Sequence, residues 1–281
     1  MKIRSLTRWC IAFAVVVTGQ SASSSSAETQ TISVAVASNF LLPMRVIANE
    51  YEALHDVNIK LSSGSSGKLY AQIVNGAPFD FFLSADQLKP LELENEGLGV
   101  DRRTYAYGRL VLWRQYDPFD GEISLDSPSE KKSGPLDLLV DLPVKEKLAV
   151  ANPELAPYGL AALEVLDNLG RYNELEEQLV YGENVSQVYQ FVQTGNASLG
   201  FVSLLQIDPK LLLDRPENTW LVPAELHSPI RQDMILLEAG LKNDAATDFY
   251  EWLQTPAARD KIESFGFILS TGNDALEFDP R

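Results

Sequence analysis

Between Thr31 and Ser38 the sequence TISVAVAS alternates apolar and polar positions and favours β-branched residues, which predicts a strand. The period then changes. Met44, Ile47, Tyr51 and Leu54 recur at intervals of three and four, which predicts a helix over 43–54 with those four side chains on its buried face. The alternation continues with VNIKLS (57–62) as a strand, KLYAQIVNG (68–76) as a helix stopped by glycine, and FDFFLSAD (79–86) as a strand. LKPLELENEGL (88–98) follows as a helix and GRLVLWR (108–114) as a strand. Polar, turn-rich residues from Gln115 to Pro135 break the rhythm and predict a surface excursion. It restarts with KLAVANP (147–153) as a strand, YGLAALEVLDNLG (158–170) and VSQVYQFVQTG (185–195) as helices, and ASLGFVS (197–203) and RQDMILLE (231–238) as strands. NDAATDFYEWLQ (243–254) is a last helix. Strands and helices alternating at this spacing imply parallel strands in a doubly wound α/β arrangement. There is no internal repeat and no proline-rich linker. Two α/β lobes joined by strand crossings are therefore expected, rather than two separate domains.

The first residues follow another pattern. Lys2, Arg4 and Arg8 precede the short apolar run WCIAFAVVV (9–17), and SASSSSA (21–27) then supplies small residues for cleavage, after Ala27 or alternatively Ala22. This is the pattern of a cleavable signal peptide over 1–27. The run is too short to span a bilayer, so an exported, soluble mature protein is expected. Cys10, the single cysteine, lies in the leader, so neither a disulfide nor thiol chemistry is expected afterwards. The whole chain has 23 basic and 39 acidic residues. Loss of the three leader cations takes the formal charge to about −19, which argues against nucleic acid as a partner. Without a mature cysteine or histidines at ligand spacing, no metal cation site is expected.

The stretch LSSGSSGKLYAQI (61–73) opens like a linker and closes like a helix. A nucleotide-binding loop needs four residues between its glycines and Ser or Thr after the lysine; only two separate Gly64 from Gly67, and Leu69 follows Lys68. Ser65 and Lys68 satisfy the Ser-x-x-Lys pattern of penicillin-recognising enzymes, but the accompanying Ser-Asp-Asn and Lys-Thr-Gly elements are missing. Only His55 and His227 could act as a histidine base, and both read as surface residues. A linker seldom fills a βα turn, where two to six residues are usual. The remaining reading is an anion cradle. Serine hydroxyls and first-turn amides without helical acceptors sit at the positive end of a helix dipole, and glycines permit close approach. Three further turns repeat the logic. Ser38 and Asn39 precede one helix, Pro157 and Tyr158 begin another, and Asn184 is placed to cap a third with the Val185 amide free. Lys68 is read as solvated rather than as a ligand.

With those stretches the chain resembles the periplasmic molybdate-binding proteins of ABC transporters, over nearly all of its mature length. The resemblance is carried by VAVASNF, SSGSSGKLYAQIVNGAPFDFFLSAD, YAYGRLVLW, LAVANPELAPYGLAALEVL, GNASLGFVSLLQI and SPIRQDMILL. The excursion at 115–135 and the acidic tail NDALEFDPR are particular to this chain. The resemblance implies an α/β, two-lobed periplasmic-binding-protein fold, each lobe a mostly parallel sheet flanked by helices, with the ligand in the interlobe cleft and a hinge between lobes. It implies a first lobe of residues 28–108 plus 225–281 and a second of 109–224. It implies Ser38, Asn39, Ser66, Tyr158 and Val185 as ligands of the oxyanion, the last two largely through backbone amides. Ser65 and Ser203 stand outside that set; Ser203 falls where some members carry a tyrosine hydroxyl. The implied role is capture of molybdate, with tungstate, and delivery to a membrane permease, without catalysis or cofactor and as a monomer. The competing readings are a sulfate- or other oxyanion-binding protein and, in another class, a secreted serine hydrolase using Ser65 and Lys68.

Overall fold

β1 (Gln30–Ala37) is fully buried at Ile32 and again from Val34 to Val36, and it lies between two neighbours in a five-stranded sheet. The computed structural model describes residues 29–115, 135–140 and 142–269. The expected leader with Cys10, nearly all of the 115–135 excursion and the acidic tail fall outside them. After β1, a 3-10 turn (Ser38–Phe40) leads into α1 (Leu41–Glu52), whose Met44, Ile47 and Tyr51 are buried. Leu54 does not join them: the helix has ended by then, and this side chain is 77% exposed. β2 (Val57–Gly64), α2 (Ser66–Val74), β3 (Phe81–Leu83), α3 (Leu88–Asn95) and β4 (Gly99–Gly108) follow.

A single residue, Arg109, separates β4 from β5 (Leu110–Trp113), and between them the chain passes to a second five-stranded sheet. That half continues through α4 (Pro135–Val140), β6 (Leu148–Ala151), α5 (Pro157–Asn168), α6 (Tyr172–Leu175), β7 (Leu179–Gly182), α7 (Val185–Gln193), β8 (Leu199–Ser203), α8 (Pro209–Asp214) and β9 (Thr219–Leu221). The chain then returns to the first sheet with β10 (Ile230–Leu237), and α9 (Asp244–Trp252) and α10 (Pro256–Ser264) pack beside it.

The two sheets share one plan. Their orders are β2-β1-β3-β10-β4 and β7-β6-β8-β5-β9. In each, three adjacent strands are parallel, and the fourth is antiparallel to both of its neighbours. Four strands of each sheet therefore run one way and one is reversed, which makes the fold α/β with two mostly parallel sheets. β4, β7 and β9 and the helices α4, α6, α8 and α10 were not among the elements expected from periodicity. In β4 the run Asp101, Arg102 and Arg103 masks the apolar pattern, because this edge strand faces charged partners.

Apolar packing covers both faces of the first sheet: Phe40, Met44, Phe81 and Phe249 on one side, Leu69, Phe82 and Ile235 on the other. The second core is built around Val150, Ala162, Val188 and Phe201, and it also takes in Ala37, Ala85 and Ile230 from the first half. The two halves thus share a strip of buried apolar surface.

Gly159 fixes how closely α5 approaches β6. A Cβ at that position would lie 2.1 Å from the Ala151 carbonyl oxygen. Gly159→Ala is expected to push α5 off its strand and to cost about 1–3 kcal/mol, the usual range for overpacking. Urea unfolding checks this, and an unchanged midpoint would contradict the close-approach argument.

Candidate anion-binding cleft

The carboxyl ends of four parallel strands, two from each sheet, face one another across a cleft. Each is followed by a helix start that lines it. The turn after β1 contributes Ser38 and Asn39, the β2–α2 turn Gly64, Ser65 and Ser66, the start of α5 Pro157 and Tyr158, and the β7–α7 turn Asn184 and Val185. The cleft holds about 200 Å³ of space not occupied by protein, part of it open to solvent. None of the residues lining it carries a charge. Any ligand held here is held by neutral dipoles.

Within the serine run the fold separates the four serines. Ser62 and Ser63 are exposed on β2, whereas Ser65 and Ser66 are buried at the start of α2. Ser65 has extended backbone (φ −70°, ψ 152°) at the N-cap position, yet its hydroxyl makes no capping bond and is a buried group without a partner. Ser66 Oγ accepts from the Ala85 amide at 2.9 Å, which leaves the hydroxyl proton available to a ligand.

At the start of α7 the Asn184 side chain accepts from the Ser186 and Gln187 amides at 3.0 and 3.1 Å. The cap does not use the Val185 amide, and Val185 lines the cleft. Tyr158 reaches across from the second lobe. Its hydroxyl accepts from Asn39 Nδ2 at 3.4 Å and lies 3.1 Å from Ser203 Oγ. Burial pushes its pKa up to about 12, partly offset by those two contacts, so the phenol keeps its proton at neutral pH. A Cβ on Gly108 would sit 2.2 Å from the Tyr158 hydroxyl, so the β4 terminus must be glycine for the ring to fit.

Six of the seven residues singled out from sequence line this cleft; Ser203 does not. It is fully buried behind Tyr158 and caps the following 3-10 turn, its hydroxyl accepting from the Gln206 amide. Lys68 is paired with Glu183 of the other lobe at 2.6 Å, both about half exposed. Neither histidine lines the cleft: His55 stacks on Tyr51, and His227 is half-buried with its ring nitrogen against the Ser228 carbonyl. Ser65 therefore has no histidine base. Among the described residues no cluster of His, Cys, Asp or Glu could hold a metal ion, and no helix is long and apolar enough to cross a membrane.

Backbone-anchored bonds cross between the lobes at the cleft. The Gly67 amide donates to the Leu155 carbonyl at 2.9 Å, and Ser186 Oγ donates to the Ser38 carbonyl at 3.2 Å. Sequence reasoning missed the polar layer beneath the cleft, Tyr105 and Gln232, both buried behind Asn39. The only signal was a Gln-Asp pair inside the apolar strand IRQDMILL. Asp233 of that pair is fully buried, takes a 2.7 Å bond from Thr104 and pairs with Arg102.

Two lobes of one topology, meeting at a neutral cleft of helix starts, define a solute-binding protein. The chain belongs to the bacterial extracellular solute-binding protein family, whose model matches residues 32–268. It is 39% identical over 259 residues to the molybdate-binding protein ModA of Azotobacter vinelandii, covering 91% of this chain and 96% of that one. It is 39% identical over 236 residues to the ModA protein of Rhodobacter capsulatus, covering 83% and 86%. The solved periplasmic molybdate-binding protein of Azotobacter vinelandii superposes with a TM-score of 0.71 at 33% identity, over 85% of this chain and 99% of the other. These are solute-binding proteins, not enzymes.

The two buried serines should respond differently to truncation. Ser66→Ala removes the acceptor of a buried amide and is expected to cost about 1–3 kcal/mol in urea unfolding. Ser65→Ala removes a hydroxyl that bonds to nothing and should leave the midpoint unchanged or slightly raised. Equal losses would contradict this bonding scheme. A second expectation concerns pH. The Tyr158 pKa is raised from 10.0 to about 12 on folding, so its contribution to stability is intact below about pH 10 and is lost as pH rises towards 12. Stability of wild type should therefore fall more steeply over that interval than that of Tyr158→Phe; parallel curves would contradict it.

Proposed function

We propose that the protein captures molybdate, and tungstate with it, outside the cytoplasmic membrane and delivers it to an ABC permease. The observation that carries this is the uncharged cleft in which four helix starts present donors, in a chain 39% identical to molybdate-binding relatives. Molybdate and tungstate at neutral pH are tetrahedral dianions with acceptors only, so amides and hydroxyls can replace their hydration shell without a counter-charge. Ser38, Asn39, Ser66, Tyr158 and Val185 are the proposed ligands. The unpartnered hydroxyl joins Ser65 to them, and Ser203 acts behind Tyr158 instead. Phosphate carries a proton at this pH and would need an acceptor. Sulfate has the same charge in a smaller shell, so cavity radius must exclude it.

The working unit in this reading is a monomer exported by a cleavable leader into the periplasm. Its first lobe spans 28–108 with 225–281 and its second 109–224, closing about the two crossings. Calorimetry with molybdate, tungstate, sulfate and phosphate tests it. Molybdate should bind far more tightly than about millimolar, and affinity no better than that would sink the proposal. Ser66→Ala should weaken binding by about 1.5–3 kcal/mol, the scale of a hydrogen bond to a charged group. Ser62→Ala, on exposed β2, should change it by less than about 0.5 kcal/mol. Equal losses would move the ligand away from the start of α2.

A further inference from the structure

Behind Asn39 the first lobe buries a second carboxamide that belongs to no proposed ligand. Gln232 of β10 is fully buried, and its Oε1 accepts from Asn39 Nδ2 at 2.8 Å and from the Tyr105 hydroxyl at 3.1 Å. That hydroxyl has one proton and a second acceptor, the Ser84 carbonyl at 3.0 Å. Burial holds the Tyr105 pKa well above the ordinary phenol range, so the proton stays. A single proton cannot serve both acceptors fully. Two more buried atoms of this layer have no partner at all, Asn39 Oδ1 and Gln232 Nε2.

Turning both carboxamides over together keeps every contact and redistributes the donors. Gln232 Nε2 then donates to Asn39 Oδ1 and to the Tyr105 hydroxyl, which is free to serve Ser84. The Tyr158 hydroxyl gains Asn39 Oδ1 as an acceptor. What remains unpartnered is Gln232 Oε1 and Asn39 Nδ2. Neither amide can turn alone, because that would set like atoms 2.8 Å apart. The two states therefore differ in the end of Asn39 that is turned away from Gln232. It is an acceptor in the first and a donor in the second, and Asn39 lines the cleft. An acceptor-only anion supplies what the second state lacks.

We propose that Asn39 and Gln232 turn over as a pair when an oxyanion enters the cleft, so that Gln232 is a positioning residue deciding whether Asn39 offers the ligand a carbonyl or an amide. The proposal rests on the oxyanion reading of the cleft. The test is side-chain amide NMR of the full mature chain, ¹⁵N-labelled and titrated with sodium molybdate, with the Gln232 signal identified by its loss in Gln232→Met. The Gln232 side-chain amide should move downfield and exchange more slowly with solvent, saturating together with the Val185 backbone amide. If the Val185 amide saturates while the Gln232 amide does not move, the coupled reversal is wrong and the oxyanion reading stands. If no amide responds to molybdate at all, both readings fall.

Discussion

An anion stripped of water in a cleft without positive side chains can be held only by donors that the fold itself leaves unused. Helix starts are the regular source of such donors, since their first amides have no acceptor within the helix. Everything about the architecture follows from bringing four of them to one point. Each sheet supplies two adjacent parallel strands, β2 with β1 and β7 with β6, and the helix after each begins at the cleft. The shared topology of the two lobes is what makes the four starts converge. Ligands of open α/β sheets generally sit beyond the carboxyl ends of the strands; here the strand ends of both sheets face one another across one cleft.

The contacts that bring the lobes together differ in worth. The Lys68–Glu183 pair is the most conspicuous, but both side chains are about half exposed, and exposed pairs contribute about 0–1 kcal/mol. The Gly67–Leu155 backbone bond is more demanding in geometry. A Cβ on Gly67 would approach the Leu155 Cα to 3.1 Å, so the lobes meet at a distance set by the missing side chain. Ala37, Ala85 and Ile230 packed into the second core add apolar burial that salt does not screen. Packing and backbone contact, rather than charge, set the interlobe geometry.

Much of this was legible in the sequence because the donors are local features. A βα turn, a capping asparagine and a proline at a helix start are written within a few residues, which is why the turns at Ser38–Asn39, the serine run, Pro157–Tyr158 and Asn184–Val185 stand out in the sequence, while the choice of Ser66 within the serine run came from the family resemblance. What lay between turns was not legible. Gln232 meets Asn39 across 193 positions of sequence, and no local pattern announces such a contact. β4 was hidden by Arg102 and Arg103, which serve ion pairs at a sheet edge and erase the alternation that would mark a strand. Leu54 fitted the helical period, but the chain turned towards β2 before reaching it. Ser203 shows the limit of position alone: the strand end was correctly placed, and its hydroxyl was already taken by Gln206 and Tyr158.

The placement of β10 between β3 and β4 has a consequence for biosynthesis. The second sheet uses only strands between Leu110 and Leu221, a continuous stretch, so it can assemble as soon as that stretch is available. The first sheet cannot. β3 and β4 are made early but share no ladder with each other, and their common partner arrives more than a hundred residues later. Until then the buried run Phe81–Leu83 has an open apolar edge, the kind of surface that pairs with other chains. The lobe that holds β1 to β4 is thus the one completed last, and the nascent polypeptide must keep that edge covered while the other lobe folds.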